Sequence, residues 1–345
     1  MFFLNKSSSS GDLFLLFLLF ISACQDTKPR AQGGDNEIIL VCSKQDKIEL
    51  ESILTTIFND TLFTPQSEPH FKVIWVEPER FNEIKDYVNV IIGAIGEFST
   101  NNGSKLIKNI LTDEQYNSTI SGDNHLIFSK DIYARDQSFL VINGPSFEKI
   151  HSLAQDQGPW IKKQVDDLFV KRQSMHLFNE STLQKELQNK LIDKYGWNIK
   201  IPWGYTVIRD SSDQQFFWIG RDMPFRWLAV QWKQGLLFSD SLSVVSYAKI
   251  FPEKYFEHIQ YSDYKFKVEP SIFSDFGSWK ITGLWESIED AQGGPFISHL
   301  FYDPSKDRTY FIHSMIFHPG KDKYLLLRQV DIIANTFQTE EMLFK

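Results

Sequence analysis

The sequence predicts two folded units behind an export signal: an α/β unit with a part-parallel sheet over residues 37–195, and an α+β unit, an antiparallel sheet backed by helices, over residues 196–345. Three observations carry this reading. The strand-like runs of the first half, Ile38 to Cys42 and Val88 to Ile95, are apolar without alternation, as in strands covered by helices on both faces. Helical stripes separate those runs. After Tyr195 the chain turns β-rich and aromatic, and eight of the nine tryptophans lie between Trp160 and Trp285.

The chain opens on residues 1–23, which read as a signal peptide. Leu13 to Ile21 is an unbroken apolar run, and a helix of that length would measure roughly 14 Å against a hydrocarbon core of ~30 Å. It is too short to span a bilayer and matches the apolar region of an export signal. Ile21-Ser22-Ala23-Cys24 resembles a bacterial lipobox. The resemblance implies diacylglyceryl transfer to the Cys24 sulfur, cleavage after Ala23 and further acylation, with palmitate as a typical chain. A protein held by two or three acyl chains stays on a membrane, whereas one chain holds it only marginally.

Composition narrows the partners. The formal net charge is −8, from 36 Lys and Arg against 44 Asp and Glu. That acidity argues against nucleic acid and against a polybasic membrane contact. If Cys24 is acylated, Cys42 stands alone without a disulfide partner, and its place in an apolar run reads as a small hydrophobe. Residues 24–36, polar with Pro29, Gly33 and Gly34, read as a tether between anchor and fold. Gln25 stands where an aspartate would signal inner-membrane retention, so the expected address is the outer membrane, facing the periplasm.

In the first unit, Asp46 to Glu49 reads as a capping box opening a helix with Leu50, Ile53, Leu54 and Ile57 on one face. Strands are expected at Phe71 to Val76 and Val88 to Ile95, then a hairpin of His125 to Tyr133 with Phe139 to Ile142. Pro145 can open a helix towards Ala154, Gly158-Pro159 is expected to break it, and a second helix runs from Trp160 to about Met175. Ser181 to Gln184 reads as another capping box, for a helix that stops at Gly196. In the second unit, strands are expected at Tyr205 to Ile208, Phe216 to Arg221, Arg226 to Lys233, Trp279 to Glu286, Phe296 to Tyr302 and Thr309 to Phe317. Helices are expected from about Pro252 to Tyr264 and from Lys321 to Phe337. This order is similar to that of the Mog1/PsbP-like fold.

Candidate chemistry is sparse. Gly96 to Lys105 has the setting of a phosphate loop but the order Ser104-Lys105, the reverse of what a Walker loop needs, so Ser104 reads better as a helix cap. Ser146 and Lys149 have the Ser-x-x-Lys spacing of penicillin-binding enzymes without its accompanying motifs. His313 and His318, five apart, would face opposite ways on one strand. No catalytic residue, cofactor or metal ligand is expected. The best candidate for a binding edge is Trp285 and Glu286 with Gly293, Gly294 and Pro295, where a glycine pair before proline permits close backbone approach. The plainer alternative is a tight connection between two strands.

Five short segments, Tyr195-Gly196 through Ile201 to Tyr205, Phe217 to Arg221, Gly283 to Glu286, Gly293 to Ser298 and Pro319 to Lys321, resemble domain-of-unknown-function family 4837, predicted bacterial lipoproteins of this length. The likeness implies a lipid anchor and no particular chemistry. The expected protein is a non-catalytic envelope lipoprotein that binds an envelope protein or glycan. The alternative is an envelope hydrolase acting on glycan or peptide near Glu286 and the Gly293-Gly294 turn.

Overall fold

The computed structural model describes residues 28–64, 66–96 and 101–343. The expected signal peptide and Cys24 lie outside the described residues. Among these residues the first half forms a five-stranded sheet. Its elements are β1 (Glu37–Cys42), α1 (Lys47–Ile57), a small hairpin of β2 (Thr61–Leu62) and β3 (Glu68–Pro69), β4 (Lys72–Val76), α2 (Phe81–Ile84), β5 (Asn89–Ile95), α3 (Asn102–Ile110), α4 (Asp113–Ile120), β6 (Leu126–Lys130), β7 (Ser138–Gly144) and α5 (Phe147–Leu177). The strand order is β4-β1-β5-β7-β6. The β1–β4, β1–β5 and β5–β7 pairs are parallel, and β6 runs antiparallel to β7.

The uninterrupted apolar runs are explained by burial on both faces. Ile38, Leu40 and Cys42 pack with Leu50, Leu54 and Ile161 of α1 and α5 on one side. Ile39 and Val41 pack with Phe81 and Ile107 on the other. The outer strand β4 differs from expectation: Val73 and Ile74, which point to opposite faces, are both exposed at this sheet edge.

Residues 28–36 are not a free tether. Arg30 bridges to Arg135 and Gln32 to Tyr87, with Arg135 N–H donating to the Pro29 carbonyl at 2.8 Å and Val88 N–H to that of Gln32 at 2.7 Å. The extended backbone thereby satisfies loop amides that would otherwise be left unpaired.

Helix α5 is continuous through Gly158-Pro159, against the expected break. Proline in a helix interior costs about 3 kcal/mol, and a face that buries Ile150, Ala154, Ile161, Val165 and Phe169 outweighs it. Gly158 lies where α1 passes, since a Cβ there would sit 3.4 Å from Ile57. The caps also differ. Asp46 makes no cap hydrogen bond; it accepts instead from Asn101 Nδ2 at 2.6 Å, and burial raises its pKa. Asn101, not Ser104, caps α3.

The second half contains α6 (Lys185–Tyr195), β8 (Trp197–Asn198), β9 (Thr206–Ser211), β10 (Phe216–Arg221), β11 (Phe225–Gln234), α7 (Ser241–Tyr255), β12 (Ile259–Tyr261), β13 (Lys267–Phe273), β14 (Phe276–Ser287), β15 (Gly293–Asp303), β16 (Arg308–Phe317), α8 (Tyr324–Ala334), β17 (Gln338–Thr339) and α9 (Glu340–Leu343). Eight strands form one antiparallel sheet in the order β12-β14-β15-β16-β11-β10-β9, with β13 also on β14. Alternation along β11 holds: Leu228, Val230 and Trp232 enter the core under α8, and Ala229 the core under α7. Gln184 does not cap α6; its amide spans the carbonyls of Pro202 and Tyr205. Helix α7 begins earlier than expected, at a capping box between Asp240 and Ser243, and holds Pro252 near its end. The core under α8 also takes in Phe169 and Leu177 of α5, so α5 serves both halves.

Candidate functional site

The two halves meet along α5 and α8, and polar contacts fix them together. Glu68 accepts from the backbone N–H groups of Lys323 at 2.6 Å and Tyr324 at 3.1 Å. A carboxylate from the first half thus caps the helix of the second, where the unpaired N–H groups favour negative charge. Arg328 donates to Asp166 at 2.6 Å, and Gln329 to Gln173 at 2.9 Å. The His70 ring stacks on Tyr324 at 4.1 Å.

Beside this seam lies an open cleft of about 1070 Å³. Its floor is apolar, with Phe71, Phe296, Ile297 and Leu327. Its walls carry basic groups: Lys162 and Lys163 from α5, Lys265 from the turn before β13, Lys267 and Lys280 from the second sheet, and Arg328 from α8. Four of these cations are matched. Lys162 pairs with Asp60, Lys163 with Asp167, Lys267 with Glu269 and Arg328 with Asp166. Among the described residues, Lys265 stands over the Phe63 ring at 4.2 Å with no carboxylate partner, and the Lys280 ammonium makes no ion pair or hydrogen bond. Two lysines whose ammonium groups touch no carboxylate among the described residues therefore line a cleft that also has apolar residues, in an acidic protein.

The electrostatics agree. Burial lowers the His70 pKa to about 4, with Asp60 opposing and Arg328, Lys162 and Lys280 adding to the fall. His70 is neutral at pH 7 and adds an aromatic edge, not a charge. Burial works against the charge of Arg328, but Asp166, Tyr324 and Asp331 outweigh it and raise its pKa. Below the seam, His299 donates from Nε2 to Asp331 at 2.8 Å with both side chains buried. Burial opposes the Asp331 carboxylate, yet His299, Arg328 and Lys280 hold its pKa below the usual range.

The residues expected at a binding edge lie elsewhere. Trp285, Glu286, Gly293, Gly294 and Pro295 sit at one end of the β14–β15 ladder, and none lines the cleft, although neighbouring Gly283 does. Their chemistry is explained by packing. Trp285 is buried and donates to the Ile316 carbonyl at 3.1 Å. A Cβ on Gly294 would lie 2.0 Å from that same oxygen. Glu286 accepts from Gln260 at 3.0 Å. His313 is buried against Ser298 at 2.8 Å and Tyr261 at 3.2 Å, while His318 is bound to the Asp322 carbonyl at 3.1 Å. Sequence reasoning missed the cleft. Its only local trace is the doublet Lys162-Lys163 and the spacing Lys265-Phe-Lys267.

No group of His, Cys, Asp and Glu among the described residues is arranged to hold a metal, and none of their helices is long and apolar enough to cross a membrane. No curated protein matches the sequence. Solved structures similar to it include a point mutant of protein Mog1 (12% identity over 44% of this chain and 94% of that one, TM-score 0.31). Two more are the Ran-binding protein Mog1p of Saccharomyces cerevisiae (11%, 42% and 90%, TM-score 0.32) and LpqN of Mycobacterium tuberculosis, described as involved in cell envelope biogenesis (13%, 41% and 82%, TM-score 0.29). Scores this low carry no argument about activity.

Family models are more specific. Of the segments that suggested family 4837, those at Gly283 to Glu286, Gly293 to Ser298 and Pro319 to Lys321 fall inside the matched range, and those at 195–205 and 217–221 fall outside it. The first half matches a different family, whose range ends at the C-terminus of α5. Residues 31–178 match the model of the Domain of unknown function (DUF8532), and residues 251–336 match that of the Domain of unknown function (DUF4837).

Proposed function

We propose that this is a bacterial envelope lipoprotein, acylated at Cys24 and held on the periplasmic side of the outer membrane, whose role is to bind rather than to catalyse. The ligand is an anion with an apolar portion, of the kind an acidic glycan or a peptide of an envelope protein presents. The observation that carries this reading is the inter-unit cleft, where Lys265 and Lys280 touch no carboxylate among the described residues and stand beside Phe71, Phe296, Ile297 and Leu327. A concave, largely apolar surface with a few convergent charges is the usual form of a binding site. Glu286 and the Gly293-Gly294 pair, which opens strand β15 and is where a hydrolase would have had its site, line none of this cleft.

The test is titration with 1-anilinonaphthalene-8-sulfonate, a compact anion with an apolar body. Saturable one-to-one binding that weakens several-fold in Lys280→Gln and further in Lys265→Gln/Lys280→Gln supports the cleft. Binding unchanged in the double variant overturns it.

A further inference from the structure

A second cavity, of about 540 Å³, opens where the described chain begins. Arg30, Arg135 and Arg172 line it together with His176 and Asp35. The first two arise from one local structure. The Arg30–Arg135 bridge sets both residues side by side, both are exposed, and neither guanidinium makes an ion pair or hydrogen bond among the described residues. Arg172 is different: its side chain is only 9% exposed, Nε pairs with Asp35, Nη1 donates to the Asp136 carbonyl at 2.8 Å, and Nη2 has no partner. A buried guanidinium nitrogen without an acceptor is costly unless something else supplies one. The nearby carboxylates do not. Asp35 is already held by Arg172 and Gln173, and Asp136 by Lys171 at 2.6 Å.

Position adds a second argument, which rests on the acylation of Cys24 proposed above. From Cys24 to Lys28 the chain can reach at most about 14 Å. Lys28 is itself pinned, donating to the Asp131 carbonyl at 2.6 Å, so the acyl chains hold this cavity close to the membrane surface. We infer that the Arg30–Arg135–Arg172 cavity binds the phosphate of an anionic lipid headgroup in the membrane that carries the anchor. Guanidinium pairs suit phosphate because their planar forks match its oxygens. The site would orient the folded body, with this end towards the bilayer.

The test uses the acylated protein in vesicles of pure phosphatidylcholine and of phosphatidylcholine with phosphatidylglycerol, read by hydrogen exchange of the backbone amides in residues 30–36 and 133–137. A headgroup contact worth about 1 kcal/mol per arginine slows these amides about fivefold or more in the phosphatidylglycerol vesicles, and Arg30→Gln/Arg135→Gln abolishes the difference. Equal exchange in both vesicles overturns the inference, as does slowing that survives in the double variant. Inorganic phosphate added to phosphatidylcholine vesicles is the third arm, and equal slowing there would assign the cavity to free phosphate and overturn the lipid assignment. Flotation with pure phosphatidylcholine vesicles reports the anchor alone, so its failure is distinguishable from failure of the cavity.

Discussion

The two sheets reach the same degree of burial by opposite means. In the first half, β1, β5 and β7 are buried on both faces almost wholly by aliphatic side chains, from Ile38 to Cys42 and from Val90 to Ile95. In the second half, the interior of β15 and β16 is aromatic and polar by turns, with Ser298, His299, His313 and Ser314 all buried among phenylalanines and tyrosines. An aliphatic core depends on volume. A core that holds buried histidine and aspartate depends on each partner being present, because an unpaired polar group in low dielectric is penalised heavily.

The sharpest way to break that comparison is to remove one partner. Asp331→Ala leaves the buried His299 without its carboxylate, while Arg328 keeps Asp166, and stability is expected to fall by about 4 kcal/mol, read as a lowered midpoint in urea. A loss under 1 kcal/mol would mean the second core does not rely on this pair.

Acid is the next probe. Burial holds His313 at about 3, below its ordinary 6.5. The folded state therefore binds fewer protons than the unfolded state, and stability falls as pH drops from 6.5 towards 3. Between pH 7 and pH 4.5 this one group accounts for a loss of about 2.5 kcal/mol. The slope is expected to flatten in His313→Gln, followed by tryptophan fluorescence, and an unaltered slope would contradict the assignment.

A matched pair of glycines sharpens the contrast further. In Gly294→Ala the new Cβ meets the Ile316 backbone oxygen, which cannot move without shifting the ladder, so a loss of about 2 kcal/mol or more is expected. In Gly93→Ala it meets the end of the Leu50 side chain, which can repack, and about 1 kcal/mol is expected. Thermal unfolding of the two variants side by side checks the order.

The smallest effect belongs to Cys42. Burial raises its thiol pKa to about 12, so it is expected to resist thiol reagents in the native protein and to tolerate Cys42→Ala at about 1 kcal/mol. Rapid native labelling would contradict its place in the aliphatic core.

Legibility followed the same divide. Unbroken apolar runs announced the central strands β1 and β5, because burial on both faces leaves an uninterrupted apolar run. In the second half the expected strands from Phe216 to Phe317 were found, but β13 was not expected, nor was β12. The β12 residues, Ile259–Tyr261, lie where a helix was expected to run on to Tyr264 and pair instead with β14. Lys267 to Phe273 is an edge strand with Pro270 within it, and its side chains are mostly solvated. The start of α7 was hidden by a serine-rich stretch, Ser239 to Ser246, that reads as a loop until Asp240 and Ser243 are seen to cap one another. Helix α5 could not be read correctly from Pro159 alone, since what overrides the proline is packing against both halves. The cleft was beyond local reasoning altogether: Asp60, Lys162, Lys280 and Arg328 converge only after the halves dock, and the docking contacts, such as Glu68 with Lys323, join residues 255 positions apart.

The proposed address and the headgroup inference both presume that Cys24 holds this body at a membrane. The direct measurement is the intact mass and N-terminal peptide of the protein extracted from its native membranes. The account predicts a chain that begins at Cys24 and carries a diacylglyceryl thioether; a free thiol at Cys24, or a chain that still begins at Met1, would contradict it.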